Sequence, residues 1–143
     1  MHTPAFHIVK IATFAFLFCI LIAAGLSAQT FTPLASFHGD NGSGPDSSLI
    51  QGTDGNFHGT ALGGGTTASG TIFKVTSGGT LTTAHNFQAT DGSAPLGALA
   101  MGTSGNFYGT TSAGGVSSFC RAGGCGSVFK ITPKGQLVTL YSF

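Results

Sequence analysis

The segment Asp54-Gly55-Asn56-Phe57-His58-Gly59-Thr60 returns fifty residues later as Ser104-Gly105-Asn106-Phe107-Tyr108-Gly109-Thr110. The recurrence extends in both directions. Phe37 aligns with Phe87, Pro45 with Pro95, Leu49 with Leu99, and Gly64-Gly65 with Gly114-Gly115. The offset then grows from 50 to 56, so that Gly70-Thr71-Ile72-Phe73-Lys74-Val75-Thr76 meets Gly126-Ser127-Val128-Phe129-Lys130-Ile131-Thr132. The second copy thus carries six extra residues in the loop before that motif. Leu81 to Phe87 matches Leu137 to Phe143, and Phe31 to Phe37 reads as a worn earlier copy of the same segment. A fixed period of this size predicts stacked or radial repeat units, each too small to bury its own apolar face alone.

Each unit reads as four short strands. In the first unit they are expected at 48–52, 57–61, 71–76 and 80–87. Asp54-Gly55-Asn56 and Ser104-Gly105-Asn106 are expected as turns, with the glycine taking the positive φ that a tight reversal needs. In the third strand Phe73 and Val75 should point one way and Ile72 and Lys74 the other. After residue 28 no segment keeps an i, i+3, i+4 apolar rhythm long enough for a helix. The fold class is therefore all-β: two four-stranded antiparallel repeat units resembling β-propeller blades, after an N-terminal signal helix. The units span about 38–87 and 88–143, with 31–37 as a leading strand. Propellers typically close with 4–8 blades. Two units imply a subunit that assembles, a decayed copy, or a fragment of a longer array. A two-unit sandwich is the structural rival.

Residues 1–28 follow the order of a secretory signal peptide. A short polar start with Lys10 precedes an apolar run from Ile11 to Ala24, and the small residues Gly25 to Ala28 follow. The run falls short of the ~18–20 residues of a spanning helix. Cleavage after Ala28 is expected, leaving a 29–143 repeat region. An uncleaved N-terminal anchor is the alternative. Phe18 before Cys19 is not the small residue that a lipidation site takes, so Cys19 is expected to leave with the signal.

Charged residues make up only 6% of the chain and the net charge is +1. No Lys/Arg cluster is available to follow a phosphate backbone, which argues against nucleic acid as a partner. Glycine is abundant, 24 of 143, but 13 Phe supply the apolar area that a disordered chain lacks.

The repeated frame resembles the GloVer tandem repeat of exported bacterial proteins, often described as choice-of-anchor proteins. The likeness rests on Gln51 to Ala61, Gly70 to Gly79 and Leu81 to Phe87, and again on Met101 to Thr111, Gly126 to Gly135 and Leu137 to Phe143. The resemblance implies export, many repeats and a β-propeller-like fold, and no known reaction. The chain has two full units, and it lacks the C-terminal anchor that names such proteins.

Candidate sites are few. Cys120 and Cys125 flank Arg-Ala-Gly-Gly in the inserted loop. An even count in an oxidising compartment predicts a loop-stapling disulfide. A zinc site would need two further ligands, and no His lies near in sequence. The stretch Asp40 to Asp46 offers oxygen ligands but lacks the spacing of an EF-hand, so an Asx-type turn is the better reading. Asp54 aligns with Ser104, His58 with Tyr108 and His85 with Tyr141. These replacements suit turn and packing roles better than catalysis. No Gly-x-Ser-x-Gly marks a nucleophile. No catalytic, cofactor or metal residue is recognisable. The expectation is an exported, non-catalytic binding or structural module, secreted or held in the cell envelope. Its partner would be a glycan or surface protein, and self-assembly could complete a propeller. The alternatives are a propeller-type lyase or glycan-acting enzyme, and a fragment without independent function.

Overall fold

A computed structural model describes residues 29–117, 120 and 123–143. The expected signal helix and Cys19 lie outside the described residues. The chain divides into two compact units, Met1–Thr32 and Pro33–Phe143. The account below concerns the second.

Eight strands form two four-stranded antiparallel sheets, with no helix among the described residues. The first sheet holds β1 (Ile50–Gln51), β2 (Phe57–Ala61), β3 (Thr71–Val75) and β4 (Leu81–Asn86), paired in sequence order. The second repeats the plan with β5 (Ala100–Met101), β6 (Phe107–Thr110), β7 (Ser127–Ile131) and β8 (Leu137–Ser142). Sequence-adjacent antiparallel pairing needs only tight connections, which the glycine-rich turns provide.

The first strand of each unit is shorter than its apolar pattern suggested. Opposite Thr60 the first unit pairs through a side chain. Ser47 Oγ accepts from the Thr60 amide at 3.2 Å and donates to the Thr60 carbonyl at 3.3 Å. Each outer hairpin carries one bulge. Ile72 pairs with His85 and Phe73 with Thr83, which leaves Ala84 as the extra residue; Val128 pairs with Tyr141 and Phe129 with Thr139, which leaves Leu140.

The glycine inside β2 and β6 has a steric cause. Gly59 is the ladder partner of Phe73, and Gly109 of Phe129. A Cβ on Gly109 would stand 2.5 Å from Phe129 Cζ, and one on Gly59 2.6 Å from Phe73 Cζ. In both sheets a phenyl ring lies where a neighbouring side chain would otherwise project.

The core lies between the sheets. Ile72 and Phe87 from the first unit pack with Leu99, Phe107, Phe129 and Ile131 from the second. The contacts are direct: the His58 and Phe107 ring centroids are 4.3 Å apart, and Thr60 Oγ1 donates to the Gly97 carbonyl at 3.1 Å. The strand β3 is buried on both faces, with Ile72 and Phe73 at 1% and 4% exposure. The alternation read from its sequence therefore does not separate core from solvent. Phe73 is covered by Phe37, edge to face, with centroids 4.9 Å apart. Residues 33–37, expected as part of a leading strand, carry no ladder pairing.

Candidate functional site

The connections sort into two rims, because alternate loops of an antiparallel meander lie at the same end of the strands. One rim carries the β1–β2 and β3–β4 turns with their counterparts in the second unit. The other carries the long glycine-rich loops that join β2 to β3 and β6 to β7.

At the first rim the turn residues hydrogen-bond to one another. The Asn56 side-chain amide donates to Asp54 Oδ2 at 2.8 Å, and the Asn56 backbone amide donates to Oδ1 at 3.2 Å. The Gly55 amide donates to the Gly52 carbonyl, with Gly55 at φ 76°. His58 Nε2 stands 3.2 Å from Asp54 Oδ1 while its ring is buried against Phe107. The Asp54 carboxyl is held down at about 2, chiefly by the Asn56 side chain, with partial burial opposing and His58 adding to the effect. The second turn repeats the geometry with a neutral partner: Asn106 Nδ2 donates to Ser104 Oγ at 3.0 Å, and Gly105 again has φ 76°. The carboxylate is thus dispensable to the turn shape. Asp54, Asn56, Ser104 and Asn106 all serve the reversal of the chain.

The second rim is held by bridges between the segments that enter each unit and the glycine-rich loops. Ser43 pairs with Gly63, and Ser93 with Ala113. Asn41 Oδ1 accepts from the His38 amide at 2.8 Å, and Asp91 Oδ1 from the Gln88 amide at 2.8 Å, each side chain holding an amide three residues before it. Asp91 Oδ2 also meets His85 Nε2 at 2.9 Å. Thr66 and Thr67 stand exposed at the loop crest. Cys120 and Cys125 lie at disulfide distance in the inserted loop, with Cα atoms 5.8 Å apart. That loop closes on itself where the Gly126 amide donates to the Gly114 carbonyl at 2.9 Å, and it meets β8 where the Val116 amide donates to Ser142 Oγ at 3.4 Å.

A model of the Gloeobacter/Verrucomicrobia repeat matches residues 20–143. The chain belongs to this family. No curated protein matches it. Within the GloVer frame, the Gly-Asn-Phe turns and the Phe-Lys strands occupy the same positions in both sheets.

Among the described residues no three His, Cys, Asp or Glu side chains gather as metal ligands, and no buried side-chain polar atom lacks a hydrogen-bond partner. One shallow cleft of about 200 Å³ escaped the sequence reading. It is lined by Lys74, Thr82, Thr83 and Ala84 of the first sheet and by Pro133 and Lys134 of the second. No sequence spacing links residue 74 to residue 134. They meet because the β7–β8 turn leans on the outer strand of the preceding unit. Drug-sized ligands usually occupy pockets of ~300–1,000 Å³, and this cleft is smaller and open.

Proposed function

We propose that the protein is an exported, non-catalytic binding module built of two propeller-like blades. Its glycine-rich loops display Thr and Ser at one rim to a glycan or a surface protein. The observation that carries this reading is the contrast between the rims. The Asp54 and Ser104 turns spend their polar groups on each other, whereas on the other rim Thr66 stands exposed beside Thr67, whose Oγ1 donates to the Phe87 carbonyl. Membership of the GloVer family, a signal-like residues 1–28 and a cysteine pair in an exposed loop support export. Short polar side chains on a scaffold with few charges suit neutral, hydroxyl-rich ligands better than ionic ones.

The inserted loop of the second unit is the part to remove. Replacing residues 115–126 by the shorter first-unit loop should abolish binding to a glycan or surface-protein panel and leave the far-UV circular dichroism unchanged. Binding that survives the replacement, or binding and fold lost together, would count against the reading.

A further inference from the structure

The interface between the two sheets is asymmetric, and each of its halves is repeated at the opposite end of the pair. Phe87 is fully buried at 0% exposure, but its repeat equivalent Phe143 is 52% exposed. Leu99 is 5% exposed, and its equivalent Leu49 is 51% exposed. Pro95 is buried while Pro45 is exposed, and Leu140, the equivalent of Ala84 at the bulge, is 50% exposed. One end of the pair therefore presents the half that the first sheet uses inside the molecule. The other end presents the half that the second sheet uses. Complementary patches on opposite ends are the condition for head-to-tail association of identical chains.

Residues 33–37 already hold part of one patch. Phe37 meets Phe73 edge to face at 4.9 Å and 75°, as Phe87 meets Phe129 at 5.2 Å and 64°. A Cβ on Gly79 would collide with the Leu34 carbonyl, as one on Gly135 would with the Ala84 carbonyl. Leu34 and Phe37 thus stand against the first sheet where Ala84 and Phe87 stand against the second. Leu49 and Pro45 remain uncovered beside them.

We propose that a second copy of this chain docks head to tail on the first sheet, its β8 face taking the seat that residues 33–37 occupy in the single chain. The inference rests on the blade reading above. Leu140 and Phe143 of the incoming copy replace Leu34 and Phe37, and the apolar surface of Leu49 and Pro45 is buried in the same step. The leading segment is then a competitor for the seat, and it limits assembly.

The test is sedimentation velocity on protein recovered from an exporting bacterial host, with circular dichroism on every variant. Phe37→Ser should release the seat and tighten self-association by tenfold or more. In that background Leu49→Asp and Leu140→Asp should each be monomeric alone. Mixed together they should form a 1:1 dimer that grows no further, because each retains one intact half. Should either Asp variant disturb the fold, Leu49→Gln and Leu140→Gln take its place. A Phe37→Ser variant that stays monomeric at millimolar concentration, or a mixture that forms no dimer, overturns the proposal. Neither readout involves the loop at 115–126. A monomer that binds its ligand through that loop would sink the docking and spare the binding function, and an assembling chain with no loop-dependent binding would do the reverse.

Discussion

Phe87 meets Phe129 edge to face across the gap between the sheets, with ring centroids 5.2 Å apart and both rings fully buried. The two rings belong to different repeat units, so the contact joins what the period divides. Truncating a buried phenylalanine leaves a cavity and typically costs ~3–5 kcal/mol. Phe87→Ala should lose about that much in urea unfolding. Phe143→Ala changes the equivalent residue at an exposed position, and should cost less than ~1 kcal/mol in the monomer. Equal losses at the two positions would mean that the end face is covered in solution.

Gly109 gives a prediction of the opposite kind. A methyl group there would stand 2.5 Å from Phe129 Cζ, and overpacking of this sort costs ~1–3 kcal/mol. Gly109→Ala should lower the unfolding midpoint accordingly. Gly109→Ala combined with Phe129→Leu should recover part of the loss, a coupling that a double-mutant cycle would read.

Asp54 makes stability depend on pH at the acid end. Its carboxyl is depressed from 3.8 to about 2 in the folded protein. Its contribution is therefore complete above the ordinary value and disappears as the pH falls through about 2. Asp54→Asn should be less stable than the parent at neutral pH, by less than ~1 kcal/mol because the turn is solvent-screened. The gap should close between pH 4 and 2. A difference that stays constant over that range would show that the carboxylate charge plays no part.

Ala94 has φ 54°, in the left-handed region, where its first-unit equivalent Gly44 has φ 63°. Left-handed backbone costs an L-residue roughly 1–2 kcal/mol. The Ala94 amide is held there by the Ser69 carbonyl at 2.9 Å, a hydrogen bond between the two units. Ala94→Gly should therefore stabilise the protein by about 1 kcal/mol, less the entropy that glycine gives the unfolded chain. A fall in melting temperature would mean that the unfolded-state term dominates.

The repeat, the all-β class, the strand positions of the motif and the Asp54 and Ser104 turns were legible from spacing alone. Local turn chemistry and the period-2 apolar pattern act within a few residues, so a single unit reveals them. His58 and His85 were read as aromatic packing positions, and both pack against phenylalanines: His58 on Phe107, and His85 edge to face on Phe87. The alternation in β3 gave the two directions its side chains take, but not that both sides are covered, with Ile72 and Phe73 both buried. Sequence periodicity records which side a residue points to, but not whether something lies on that side.

Sequence by itself determined that this chain forms two like units, since the same residues at the same spacing dictate the same hairpins twice. Only the tertiary structure decided which copies of those residues are buried. Phe87 and Phe143, or Leu99 and Leu49, are identical in type and local setting, and they differ in burial because one unit has a neighbour on that side and the other does not. Burial depends on the neighbour across the gap, which no pattern within a unit encodes. The same stacking brings Lys74 to Lys134 and sets Phe37 on Phe73.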